Sequence, residues 1–131
     1  MIYLIIGVAG FVGALLRFYV DSLFPVNLTS GQFPISTFIV NMLGSFLLGA
    51  LTAFVAKSKY FKPYIVTGIG TGLIGSFTTF STFSLEVMKL IRNGYFKETF
   101  LYILLSIIGG VFFAVIGLQI VKKRGNQHVD S

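Results

Sequence analysis

The feature that most constrains this chain is the clustering of its charges, which leaves four long stretches without any Lys, Arg, Asp or Glu. The uncharged stretches cover residues 1–16, 22–56, 63–85 and 99–121. A helix needs about 20 mainly apolar residues to cross the hydrocarbon core of a bilayer. The sequence therefore predicts an all-α membrane protein with four transmembrane helices. We place them at about Ile2–Val20, Ile35–Ala56, Tyr64–Met88 and Thr99–Val121.

Composition supports a membrane protein and excludes several other classes. Of the 131 residues, 55% are hydrophobic and only 11% are charged, against roughly 25% charged in a soluble domain. The chain has no cysteine, and its single histidine is His128, so disulfides, thiolate nucleophiles and Cys/His metal clusters are excluded. We therefore predict that the protein is not an enzyme. Residues 1–121 form the predicted membrane domain, and residues 122–131 a polar, basic tail.

The position of the basic residues argues against nucleic-acid binding, although the net charge is +6. They lie between or at the ends of the predicted spans, where they anchor helices at the lipid head groups. With four spans, six basic residues fall on the side of the termini and three or four on the other. The positive-inside rule then favours cytoplasmic termini only weakly. Such a small bias is compatible with insertion in both orientations.

The third stretch does not read as an ordinary span. Residues 67–84 are TGIGTGLIGSFTTFSTFS, with four glycines followed by a dense run of Thr, Ser and Phe. One interpretation is close helix packing, with the hydroxyls bonded to carbonyls one turn earlier. The other is an interrupted helix, whose freed carbonyls must be buried, line a cavity or bind an ion. The residues alone leave both interpretations open.

Polar side chains recur at helical spacing on two other spans. Helix two carries one such stripe, and Asn41 supplies the only amide of that span; the stripe is Thr37, Asn41, Ser45 and Gly49. Helix four repeats the spacing with Tyr102, Ser106 and Gly110. Interhelical hydrogen bonding is the alternative explanation of these stripes, worth roughly 1 kcal/mol per bond.

Three motifs carry a resemblance to a known family. They are GVAGFVGALLRF at 7–18, TFIVNMLGSFLLG at 37–49 and GLIGSFTTFSTFS at 72–84. With these motifs the chain resembles the Fluc (CrcB) family of bacterial fluoride channels over nearly its full length. One departure is Ser76, where many relatives have a second glycine, and we expect little consequence from it.

The resemblance implies four-helix subunits that form an antiparallel, dual-topology homodimer with a broken third helix. It implies a structural Na⁺ at the dimer axis, held by the backbone carbonyls of Gly75 and Thr78. It also implies two fluoride pathways flanking that ion. The pathway residues it assigns are Asn41, Phe80, Phe83, Ser81 and Thr82, with Tyr102 and Ser106 as looser matches. Arg17 matches the arginine at the aqueous end of the first helix.

The same resemblance implies a function and a location. HF enters the cell, dissociates and traps fluoride, which a passive channel in the plasma membrane releases down its gradient. The partner in the dimer is either a second copy or a paralogous subunit inserted in the opposite orientation. No nucleic acid is expected among the partners.

Anion passage also has a physical argument. Fluoride is small and strongly hydrated, so a dry pore must offer donors: the Asn41 amide, hydroxyls and the positive edges of Phe rings. We read the spans as free of interior acids, with Asp21 and Glu86 at or near helix ends. Two alternatives remain: a small four-helix, dual-topology multidrug exporter, and an assembly subunit without transport activity. The exporter would need a carboxylate inside the first span, which we do not find.

Overall fold

The computed structural model describes residues 2–57, 62, 65–66 and 68–129, with only the backbone described for Lys57 and residues 126–129. Every regular element in these ranges is helical. The elements are α1 (Ile2–Leu23), a 3-10 turn (Leu28–Ser30), α2 (Ile35–Lys57), α3 (residues 68–77), α4 (Phe80–Arg92) and α5 (Phe96–Val129). Helix α3 begins as a π-helix, Gly68–Ile74, and ends as one α-helical turn, Gly75–Phe77.

Three helices of the described ranges are long and apolar enough to cross a membrane, and they confirm three of the predicted spans. They are α1, residues Ile35–Ala56 of α2, and residues Phe96–Gly125 of α5. Helix α5 is longer than predicted. It has 34 residues and continues to Val129, within the segment expected to form a polar tail. Lys and Arg are good helix formers, so the basic run after Val121 does not end the helix.

The remaining predicted span, at about Tyr64–Met88, is not one continuous helix. Its predicted first residue, Tyr64, lies outside the described residues. The described part is divided into α3 and α4, which are separated by the extended residues Thr78 and Thr79.

Glycines bring α1 and α3 into backbone contact. A Cβ added to Gly13 would collide with the carbonyl oxygen of Leu73, and a Cβ on Gly72 would lie 2.7 Å from the carbonyl oxygen of Ile6. Gly13 is buried and lies on the face of α1 that contacts α3. Small residues allow this approach, which membrane helices use in place of a hydrophobic driving force.

Helices α2 and α5 pack in the same way. A Cβ on Gly49 of α2 would collide with the Ala114 carbonyl of α5, and one on Gly117 of α5 with the Phe46 carbonyl of α2. Each helix thus supplies a glycine where the other supplies backbone. Other side chains of α5 are apolar and exposed, including Val111, Phe112 and Val115, as expected for a surface that faces lipid or another subunit.

We predict that Gly49→Ala destabilises the protein, because the new methyl group overlaps the Ala114 carbonyl and forces α2 and α5 apart. Overpacking of this kind costs about 1–3 kcal/mol. The measurement is thermal unfolding of the purified protein in detergent, followed by circular dichroism. The matched control is Gly7→Ala on α1, because a Cβ at Gly7 meets nothing within 4 Å. Equal melting temperatures for the two variants would contradict the packing assigned to Gly49.

Candidate functional site

The candidate site is built around the interruption between α3 and α4. Thr78 (φ −79°, ψ 160°) and Thr79 (φ −151°, ψ 123°) are both extended. Thr78 still donates its N–H to the carbonyl of Ile74 at 3.0 Å, so α3 is complete up to this residue. From Thr79 onward the peptide groups need partners outside the helix, since unpaired backbone groups are costly away from water.

Asn41 of α2 supplies both partners that Thr79 needs. Its Nδ2 donates to the Thr79 carbonyl at 3.2 Å, and its Oδ1 accepts from the Thr79 N–H at 3.0 Å. An amide side chain is suited to this because it carries a donor and an acceptor side by side. The amide predicted for the pore therefore also stabilises the interruption.

Thr79 in turn caps α4. Its Oγ1 accepts from the backbone N–H of Thr82 at 3.1 Å and lies 3.2 Å from the Thr82 hydroxyl. Threonine is a favoured N-cap for this reason. The first turn of α4, which contains Phe80 and Ser81, has N–H groups without intrahelical acceptors and a partial positive charge. This end of the helix favours an anion over a cation.

The same pairing leaves two carbonyls without their helical donors. In a continuous helix, the Thr79 N–H would serve the carbonyl of Gly75 and the Thr82 N–H that of Thr78. Here those two N–H groups bond to Asn41 and to the Thr79 hydroxyl instead. Gly75 and Thr78 are the two residues predicted to hold Na⁺, and carbonyl oxygens are ligands that suit a hard cation. The Gly75 carbonyl has one long contact, from the Thr78 hydroxyl at 3.5 Å.

A cleft of about 400 Å³ opens beside the interruption; we call it the first cleft. It brings together eight polar or predicted residues: Asn41, Ser45, Gly75, Thr78, Thr79, Phe80, Phe83 and Ser106. Thr78 reaches it because its methyl group packs where Gly44 of α2 has no side chain. Six of the predicted site residues thus line one space, although they come from four helices and the extended link between α3 and α4.

The two predicted rings differ in exposure. Phe80 is 79% exposed, whereas Phe83 is partly buried. Their centroids are 6.0 Å apart with the ring planes 31° from parallel. The exposed ring forms an open side of the first cleft, which the single chain does not close.

The other predicted residues do not line the first cleft. Ser81 is exposed next to Phe80, and Thr82 lines a second cleft of about 190 Å³. Tyr102 is fully buried and packs its ring on Phe83, with centroids 4.9 Å apart. Arg17 is partly exposed near the C-terminal end of α1. Their roles in a fluoride pathway stay predictions.

The second cleft corrects one of our interpretations. We placed Glu86 at or near a helix end and read the spans as free of interior acids, but Glu86 lies in the middle of α4 and is partly buried. Its carboxylate accepts hydrogen bonds from the Thr37 and Tyr102 hydroxyls. Glu86 is in the middle of a helix because the interruption makes α4 begin at Phe80 and the helix continues to Arg92, so that Glu86 is its seventh residue.

The contact of Thr37 and Tyr102 with Glu86 was not predicted, although the isolated charge of Glu86 in the sequence pointed to it. Glu86 is the only charge between Lys62 and Lys89, and an acid beside a predicted span is a functional candidate by default. Asp21, the other acid lining the second cleft, accepts from the Ser36 hydroxyl near the start of α2.

Ser76, the departure from the family motif, makes a contact that glycine cannot make. Its hydroxyl donates to the carbonyl of Gly10 on α1 at 2.7 Å. The substitution therefore adds a side-chain bond between α1 and α3 next to Gly75.

Comparison with known proteins shows a family match over most of the chain. Residues 4–118 match the family described as CrcB-like protein, Camphor Resistance (CrcB). The chain is 44% identical over 128 residues to a Bacillus cereus protein named Fluoride-specific ion channel FluC 1, which covers 95% of this chain and 93% of that relative. A Listeria innocua protein named Fluoride-specific ion channel FluC 2 is 37% identical over 133 residues, covering 99% and 100% of the two chains. These names describe a class of protein that is not enzymatic.

We predict that Asn41→Leu lowers the free energy of unfolding, because it leaves the N–H and the carbonyl of Thr79 without their partners. Each lost partner costs about 1–3 kcal/mol. The measurement is thermal unfolding in detergent. Ser45→Ala is the matched control, since Ser45 lies one turn further along α2 and lines the same cleft. If both variants melt at the wild-type temperature, the double hydrogen bond does not stabilise the interruption.

Proposed function

This chain belongs to the CrcB-like protein (CrcB) family, and on that premise we propose that it is a fluoride-selective ion channel. The observation that carries the proposal is the first cleft. It joins the Asn41 amide, Ser106, the rings of Phe80 and Phe83 and the N-terminal end of α4. Amide and hydroxyl donors, a helix N-terminus and the positive edge of an aromatic ring all favour an anion, and the donors can replace the water that fluoride must shed.

Glu86 changes part of the physical argument for an anion. Because Glu86 lies within a helix, the preference for an anion cannot be explained by spans without acids, and it depends on the donors of the first cleft. Glu86 lines the second cleft, and Thr37 and Tyr102 already donate to its carboxylate. These bonds partly satisfy the negative charge, and they leave the first cleft lined by donors.

We further propose that two copies associate in antiparallel orientation, or that one copy pairs with an oppositely oriented paralogue. The weak charge bias across the predicted spans supports insertion in both directions. The exposure of Phe80 also supports it, since a second subunit would cover that ring and close the first cleft. Two such clefts would give the assembly two fluoride pathways.

A structural Na⁺ belongs to the proposal as well. The carbonyls of Gly75 and Thr78 would hold it, since the N–H groups that would pair with them bond elsewhere. A bound cation lowers the electrostatic cost of bringing an anion into a dry site. The described part of the chain contains no cluster of three or more His, Cys, Asp or Glu that could hold a metal ion, so carbonyls are the natural ligands here.

The proposed role is passive export of fluoride across the plasma membrane. The exporter alternative needs a carboxylate inside the first span. The only acid of α1 is Asp21, two positions before the helix ends at Leu23. An assembly subunit without transport would leave the lining of the first cleft unexplained. Neither alternative is favoured by an observation.

Purified protein in liposomes should release fluoride rapidly and chloride far more slowly, as measured with ion-selective electrodes. Phe83→Ile should reduce fluoride release because it removes a ring edge from the cleft. Phe112→Ile is the matched control, as Phe112 is an exposed ring on α5. Equal rates for the two anions, or no release, would disprove the channel.

Replacing Na⁺ by N-methylglucamine at constant ionic strength should lower the melting temperature of the purified protein. A ligand bound only to the folded state stabilises it by about 2.7 kcal/mol at 100 times its dissociation constant. Choline, which is also too large for a carbonyl site, serves as a second replacement. An unchanged melting temperature in both solutions would argue against a structural Na⁺.

A further inference from the structure

Five aromatic rings form a continuous row from the first turn of α2, through the α1–α2 connection, to the first cleft. In order they are Phe38, Phe33, Tyr102, Phe83 and Phe80. Successive centroids are 5.5, 5.3, 4.9 and 6.0 Å apart. All four distances lie within the range in which aromatic pairs attract each other.

Tyr102 is the centre of this row. Its side chain is 0% exposed. The ring of Phe33 meets it nearly edge-on, at 85°, while Phe83 contacts it at 46°. Its hydroxyl donates to Glu86 at 3.2 Å. The Tyr102 ring is therefore in contact on both sides and bonded at its tip.

The connection that carries Phe33 is itself held to the start of α5. Gly31 has a φ of +76°, and its missing side chain makes room for the Tyr95 ring, whose Cε1 would lie 2.6 Å from an added Cβ. The Tyr95 hydroxyl donates to the Thr29 carbonyl at 3.2 Å. Asn27 caps the 3-10 turn by accepting from the Thr29 N–H at 3.1 Å. Phe33 therefore extends from a fixed connection.

We propose that Phe33 is a positioning residue for fluoride conduction: it fixes Tyr102, and through Tyr102 it fixes the Phe83 ring in the first cleft. The inference rests on the proposed function. Only the edge of an aromatic ring is positive, so a rotation of Phe83 replaces an attractive edge with a repulsive face. Phe33 needs no contact with the ion to control its passage.

The test is a double-mutant cycle on fluoride release from liposomes, with Phe33→Leu, Phe83→Leu and the double variant. Phe33→Leu should reduce the rate about threefold to tenfold, the size of one aromatic pair, and should lower the ratio of fluoride to chloride release. If Phe33 acts through Phe83, the double variant should be no slower than Phe83→Leu alone. Phe112→Leu is the matched control, because it removes one edge-on ring contact, with Phe113 at 5.7 Å, outside the row.

Independent effects that multiply in the double variant would overturn the proposal, as would a wild-type rate and selectivity in Phe33→Leu. Phe33→Met, which also keeps an apolar side chain of similar size, replaces the leucine variant if that does not fold. Failure of the proposed function is distinguishable, since the wild-type protein would then release no fluoride. In that case melting temperatures of the same four proteins decide: additive decreases for Phe33 and Phe83 would show that Tyr102 does not couple them.

Discussion

The double hydrogen bond between Asn41 and the peptide group of Thr79 is the interaction on which the rest of the site depends. A broken helix has a high free-energy cost in an apolar environment, because its unpaired N–H and carbonyl groups cannot bond to water there. One amide from a neighbouring helix removes that penalty. The interruption then places the positive end of α4 beside the first cleft and leaves the carbonyls of Gly75 and Thr78 free of helical donors. A single side chain would thus allow both the anion site and the cation site that we propose.

That pairing requires α2 to lie very close to the interruption. Gly44 provides the space, because the methyl group of Thr78 occupies the position of its missing side chain. Gly49 and Gly117 hold α2 against α5 by backbone contact in the same way. Glycine lowers helix propensity in each case, and the contact of backbones compensates. The many glycines are therefore a requirement of the site's geometry as well as of folding.

Hydropathy was sufficient to predict three spans, because an uncharged stretch of about 20 residues has few other structures available. It left the continuity of the third open, because the partner of the interrupted backbone is a side chain 38 residues away from Thr79. Glu86 was misplaced for the same reason. Motif resemblance named six residues that line the first cleft, but it did not predict the row of rings. Phe33 lies in an irregular connection, and no periodicity indicates where such a ring packs.

Helix α5 is too long to lie within the hydrocarbon core of a bilayer. Its 34 residues span about 51 Å at 1.5 Å per residue. Even tilted by about 40° it covers about 39 Å, against a hydrocarbon core of about 30 Å. Part of the helix therefore extends beyond the hydrocarbon core as an arm that begins near its basic residues. Since the chain has no cysteine, one thiol introduced on that arm would react alone with an impermeant reagent and report which way each copy faces.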